Sequence, residues 1–274
     1  MSKDLHTRYP GWALVTGASS GIGESYALAL AARGFPVVLV ARRKDRLEAL
    51  ARRLADEHHV DTLVVAEDLA QRGACERVRD AVGGREVGLL VNNAGFGSSG
   101  RFAEEDAAVD DEMIALNCAA VVRMTHLFLR PMIGRKCGAV IVVASVAGYQ
   151  ADPWFAVYGA TKAFDLIFAE ALWCELRGTG VDVLAVSPGE TRTEFHERAH
   201  AKRQFRGATP ESVVEKSIAA LGKTPSIAPG LVPKLISWAH RFFPRRVVIH
   251  ITGAILAREL QTTSSSELRK RPYR

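Results

Sequence analysis

Trp12-Ala13-Leu14-Val15-Thr16-Gly17-Ala18-Ser19-Ser20-Gly21-Ile22-Gly23 is the stretch on which the fold turns. Its first five residues form a short apolar run, and the helical pattern Tyr26 to Arg33 follows the glycines. Strand, glycine turn and helix in that order place backbone N–H groups and a helix N-terminus where a pyrophosphate would bind. The glycines at 17, 21 and 23 do not follow the common G-x-G-x-x-G spacing, so the generic dinucleotide fingerprint is not met as written.

Outward from this unit, apolar strands and amphipathic helices alternate. Strands are expected near 12–16, 36–41, 61–67, 87–92, 139–144 and 181–187, with a short one near 226–228. Helices are expected near 21–33, 44–57, 70–82, 107–130, 157–178, 210–222 and 231–243. Such alternation argues an α/β fold, a doubly wound Rossmann-type parallel sheet of about seven strands with helices on both faces. At 274 residues, with 48% hydrophobic and 24% charged residues, the chain has the composition of one globular domain spanning 1–274. No internal repeat is visible.

A second constellation carries chemistry. Ser145 ends the apolar run Ala139 to Ala144, at a strand's carboxyl end, where open α/β sheets bind ligands. Tyr158 and Lys162 stand four residues apart, one face of a helix. A phenol, which in water ionises only near pH ~10, is a poor proton donor or base near neutrality, and a fixed ammonium beside it favours the phenolate. After the second strand, where an NAD enzyme would be expected to place an Asp or Glu for the ribose hydroxyls, the chain reads Ala41-Arg42-Arg43. Arg42 is placed to meet a 2′-phosphate with its planar fork, which points to NADP(H).

The Thr-Gly-x-x-x-Gly-x-Gly spacing of Thr16 to Gly23 resembles that of the classical short-chain dehydrogenases/reductases. The likeness continues through Asp68-Leu69, Asn92-Asn93-Ala94-Gly95, Asn117, Ser145, Tyr158 with Lys162, and Ser187-Pro188-Gly189 leading to Thr191 and Thr193. The resemblance covers about residues 11–195 and implies the strand order 3-2-1-4-5-6-7. It further implies hydride transfer between NADP(H) and a carbonyl or secondary alcohol. Tyr158 would act as acid/base, Lys162 would hold the phenol's pKa down and bond the nicotinamide ribose, and Ser145 would donate to the developing oxyanion. Asn117 would hold a water of a proton relay.

The cofactor would meet Gly17, Ser19, Ser20, Gly21, Ile22 and Gly23 at the turn, and Asp68 and Leu69 at the adenine. Asn93, Ala94 and Gly95 would lie at its edge, Tyr158 and Lys162 at the ribose, and Pro188, Gly189, Thr191 and Thr193 at the carboxamide. Asn92 is as well suited to bracing neighbouring strands, and Glu190 receives no role. Phe96, Gln150, Phe155 and Phe195 are the candidate substrate contacts, and the large apolar groups among and around them favour a hydrophobic carbonyl over a sugar. Trp154 and Phe155 could equally be packing. Symmetric dimers or tetramers are usual in the family.

Other classes are disfavoured. The net charge of +6 is spread over separate basic clusters without an interleaved aromatic platform, so nucleic-acid binding is not expected. Cys75, Cys118, Cys137 and Cys174 contain no C-x-x-C pair, metal ligation has no support, and reduced thiols in a cytoplasmic protein are expected. The N-terminus lacks the apolar core of a signal peptide. The polar stretch 193–207 is expected to be a lid. The apolar but charge-interrupted segment near 231–257 is expected to be helical, too broken to span a membrane, and suited to subunit packing or to peripheral membrane contact. A polar tail, 262–274, is expected to fray. Two rival readings are a non-catalytic NADP(H)-binding sensor or scaffold on the same fold and an epimerase or dehydratase of the extended branch. The four residues Asn117, Ser145, Tyr158 and Lys162 together argue against the first, and the glycine spacing against the second.

Overall fold

In the computed structural model, which describes residues 4–193 and 207–264, the apolar runs pair side by side. They are β1 (Trp12–Thr16), β2 (Val37–Ala41), β3 (Thr62–Ala66), β4 (Val87–Asn92), β5 (Gly138–Val143), β6 (Val181–Val186) and β7 (Ser226–Ile227). All pair in parallel, in the order β3-β2-β1-β4-β5-β6-β7, as the resemblance implied. Val15 lies opposite Leu39 on one side and Val91 on the other, and Val91 lies opposite Ile141.

Alternate strand residues serve opposite faces of the sheet. Leu14, Val38, Val40, Leu90, Val140 and Val142 meet α4 (Ala74–Val82), α6 (Ala120–Arg135) and α7 (Ala156–Glu175) in one core. Ala13, Val15, Val37, Leu39, Leu89, Val91 and Ile141 meet α2 (Gly21–Ala31), α3 (Lys44–His58) and α8 (Pro210–Ala220) in the other. Both faces are covered, which is why the strands read as continuous apolar runs.

Helix boundaries depart from the sequence reading at specific points. The helix expected from residue 70 starts at Ala74, because Asp68 Oδ1 accepts from the Ala70 amide and Gly73 adopts φ 77° before the helix begins. The single helix expected over 107–130 is α5 (Ala107–Ile114), a π-helical turn over Ala115–Ala119, and α6 as far as Arg135. A π-turn inserts an extra residue and re-aims the side chains after it. Span 107–135 is long and apolar enough on composition to cross a membrane, yet Met124, Phe128 and Met132 are buried in the core. Short elements without periodicity were not anticipated: α1 (Asp4–Arg8) and 3₁₀ turns at Phe102–Glu104 and Val146–Tyr149. After α9 (Leu231–Phe242), α10 runs from Arg245 to Ser264. Of the tail expected to fray, residues 262–264 end α10, and 265–274 lie outside the described residues. Most of the expected lid, 194–206, lies outside them too.

β1 has β2 on one side and β4 on the other, so the chain winds away from it in both directions. A crevice therefore opens at the carboxyl ends of β1 and β4.

Candidate active site

Thr16, at the end of β1, ties the two rims of this crevice. Its Oγ1 accepts from the amides of Asn93 (2.9 Å) and Ala94 (3.0 Å) and donates to the Val91 carbonyl (3.3 Å). Asn93 Nδ2 returns a bond to the Thr16 carbonyl at 2.9 Å. In the sequence Thr16 stands only as part of a motif; its bonding depends on β4 lying beside β1. At Gly17, φ is 68°, and a Cβ there would lie 2.8 Å from Asn93 Nδ2. A Cβ on Gly23, inside the first turn of α2, would collide with the Gly17 carbonyl oxygen. The turn thus keeps its shape only without a side chain at 17 and 23, and the space above it is the cradle a pyrophosphate requires.

A cavity of about 1270 Å³ opens over this turn. Gly17, Ser19, Ser20, Gly21, Ile22, Arg42, Asp68, Leu69, Asn93, Ala94 and Gly95 line it, as do Ser145, Tyr158, Lys162, Pro188, Gly189, Thr191 and Thr193. Of the expected cofactor residues only Gly23 is absent, buried behind the turn. The residues present fit a dinucleotide.

Arg42 and Arg43 both line the cavity, with different partners. Arg42 Nη1 pairs with Glu112 Oε1 at 3.1 Å, both half-exposed. Arg43 reaches over the glycine turn, donating to Ser19 Oγ at 3.0 Å and Ser20 Oγ at 2.8 Å. Sequence reasoning singled out Arg42 alone. Arg43 was missed because its reach across the turn is a tertiary contact. Asn92 braces β4 to α6 through Thr125 Oγ1 (3.0 Å), a helix and not a neighbouring strand.

Tyr158 sits in the first turn of α7, hydrogen-bonded to Ser145. The Ser145 hydroxyl also accepts from the Ala147 amide at 3.2 Å. One turn on, Lys162 Nζ donates to the Val143 carbonyl and to Asp165 Oδ2, each at 2.9 Å. Burial pushes the Tyr158 phenol above its ordinary pKa; Lys162 and Ser145 pull it down without reversing this. The expectation that Lys162 holds the phenol low is therefore corrected for the protein without cofactor, where desolvation wins. The lysine is raised as well, but not by burial. Burial alone would lower its pKa, but Asp165 and Tyr158 reverse that and hold it above the lysine range. Asp165 did not figure in the sequence reading.

Asn117 is fully buried in the π-turn. Its Nδ2 donates to the Phe96 carbonyl (2.9 Å) and Thr161 Oγ1 (3.0 Å), and its Oδ1 accepts from the Phe96 amide (3.1 Å). Both side-chain donors are committed to bracing the Phe96 loop and α7.

On the substrate side, Phe96, Gln150 and Phe155 line the cavity, and Phe195 lies outside the described residues. Trp154 does not line it; with φ 66°, it accepts a bond from the Gly100 amide (2.9 Å) and packs towards Gly253 of α10. Glu190, assigned no role from sequence, lines the wall. So do Leu231, Val232, Pro233, Ile236, Phe243, Val248, Ile251, Thr252, Ile255 and Leu256. The C-terminal helices therefore form an apolar wall of the site. Their composition suggested apolar burial in the sequence, but not against what.

Asp152 is the one acidic group in the 150–155 stretch of this lining, bonded by Gln150 Nε2 at 3.3 Å. Burial pushes its carboxyl up to about 6. It is neutral below that pH and charged above it, so KM for an anionic substrate is expected to rise as pH climbs through about 6, and KM for a neutral one to stay flat. Asp152→Asn should remove the difference; an unaltered KM profile for the anion in this variant would count against the assignment.

A glycine-turned βαβ unit, a switch-point crevice and a Ser-Tyr-Lys cluster within it define a dinucleotide-dependent oxidoreductase. Residues 11–204 match the family of the short chain dehydrogenases, and the chain belongs to that family. It is 34% identical over 234 residues to a 7beta-hydroxysteroid dehydrogenase of Collinsella aerofaciens, covering 83% of this chain and 89% of that protein. It is 32% identical to a very-long-chain 3-oxoacyl-CoA reductase of Anas platyrhynchos, covering 88% and 78%. A short-chain dehydrogenase from Sphingobium yanoikuyae solved in complex with NADPH superposes with a TM-score of 0.74 at 31% identity, covering 95% of this chain and 98% of that one. The chain is an oxidoreductase acting on CH–OH or C=O groups.

Proposed function

We propose that the protein transfers hydride between NADP(H) and a bulky hydrophobic ketone or its secondary alcohol. The observation that carries this reading is the placement of Ser145, Tyr158 and Lys162 against a cavity whose opposite wall is the apolar lining of α9 and α10. When bound, the reduced nicotinamide supplies the hydride. Tyr158 donates its proton to the carbonyl oxygen. Ser145, already bonded to that phenol, donates to the same oxygen as charge develops there, where a hydrogen bond contributes most. Lys162, charged and held by Val143 and Asp165, offsets the negative charge left on Tyr158. The apolar wall replaces water around the substrate's body.

Arg42 supports NADP(H) over NAD(H), since it lines the cavity and its half-exposed partner Glu112 can be exchanged for a phosphate. The named substrates of the two relatives, a hydroxysteroid and a very-long-chain acyl thioester, share apolar bulk beside the reacting oxygen. We place the protein in the cytoplasm as a homo-oligomer. The outer face of α9 supports assembly: Leu235, Trp238 and Phe242 recur on one side at 51–71% exposure.

NADPH consumption measured against steroid ketones, long-chain 3-oxoacyl thioesters and ketosugars tests the substrate class. Turnover is expected with members of the first two groups and not with sugars; a preference for sugars would refute the hydrophobic reading. Silence with all three would favour a non-catalytic binding protein.

A further inference from the structure

The chain buries a carboxylate beside its catalytic lysine. Asp165 is fully buried, three residues after Lys162 on α7, and its Oδ2 lies 2.9 Å from Lys162 Nζ. Its Oδ1 has no hydrogen-bond partner among the described residues. The immediate sequence, Phe164-Asp165-Leu166-Ile167-Phe168, is otherwise apolar. A carboxylate in such surroundings persists when it is paired. An ammonium has three N–H donors, and Val143 and Asp165 take two of those of Lys162, leaving one for the cavity and Tyr158.

We infer that Asp165 is a positioning residue for the reaction, fixing the Lys162 ammonium behind Tyr158 and keeping it protonated despite its burial. The inference rests on Lys162 serving the chemistry. Without the carboxylate, the buried lysine would face only the Val143 dipole, the phenol and the desolvation that favours its neutral form. The other titratable groups facing the pair are Tyr158 on α7, Cys118 on the π-turn and Asp152 on the loop before α7. Burial raises the Cys118 thiol to about 11 and the Asp152 carboxyl to about 6, and neither hydrogen-bonds to Lys162, so neither replaces Asp165. Asp165 also lies close enough to Tyr158 to raise the phenol, but its direct contact is with the lysine. The effect on Lys162 therefore dominates.

The test is Asp165→Asn, read in two ways. In cofactor-free protein labelled with ¹³Cε-lysine, NMR titration should show Lys162 losing its proton at a pH lower by on the order of 3 units than in the wild type. The alkaline limb of kcat/KM for ketone reduction should move the same way by on the order of 1 unit or more. Asp165→Glu should restore both in part. An unmoved Lys162 titration would overturn the inference alone. A shifted titration beside an unmoved rate profile would overturn the reading of Lys162 as a catalytic group, and with it any role of Asp165 in turnover. If Asp165→Asn does not fold, Lys162→Met/Asp165→Leu decides, since an apolar pair removes the uncompensated charge. Folding of the double variant would support the inference. Failure of both would show that the pair serves packing and overturn it.

Discussion

Replacing Tyr158 by phenylalanine is expected to lower kcat by about 10²–10⁴-fold, the usual contribution of a positioned acid/base, while NADPH affinity stays nearly unchanged. The ring keeps its place at the start of α7, so packing and the cavity wall persist; only the proton is lost. The variant also tests the electrostatics. Burial raises the phenol's pKa, so at neutral pH Tyr158 is protonated and ready to donate in the reductive direction. Reduction should therefore hold level over the neutral range and fall at high pH, where Lys162 or the phenol loses its proton. Lys162→Ala should damage kcat and cofactor affinity together, because the ammonium faces both the phenol and the cavity. Single-turnover and binding measurements on the purified variants separate these outcomes. A Tyr158→Phe protein retaining most of its kcat would remove Tyr158 from the chemistry.

The two arginines after β2 should behave differently from each other. Among the described residues Arg42 pairs with a half-exposed Glu112 on α5, a partner it can exchange for a phosphate at small cost. If it meets the 2′-phosphate with a charge-assisted contact of about 1.5–3 kcal/mol, Arg42→Ala should weaken NADPH about ten- to a hundredfold and leave NADH nearly unaffected. Arg43 holds Ser19 and Ser20 of the glycine turn, which both cofactors share. Arg43→Ala should therefore weaken NADPH and NADH alike. Competition titrations of both cofactors on the wild type and the two variants are the measurement. Equal wild-type affinity for NADPH and NADH would defeat the NADP(H) assignment, and equal losses of both cofactors in Arg42→Ala would reassign Arg42 to the turn.

Much of this protein was legible in the chain itself because the signals are local. Strand, glycine turn and helix between Trp12 and Ala31 follow from apolar runs and from glycines where no Cβ fits. The spacing of Tyr158 and Lys162 is a property of one helix. The buried parallel strands β1, β2, β4, β5 and β6 follow from apolar runs too continuous to face water on either side. Tertiary structure alone decided the rest. Thr16 became a staple because β4 lies next to β1, and the Asn117 side chain became a brace because the π-turn aims it at Phe96 and Thr161. Arg43 came to lie over the glycine turn by reaching across from the start of α3, after β2. The C-terminal helices became a wall of the cavity, although their sequence says only that they must bury apolar surface somewhere. The pKa of Tyr158 was decided the same way. Spacing supplied the lysine that lowers it, but the enclosure that raises it more comes from residues distant in the chain, and desolvation cannot be read from a local pattern.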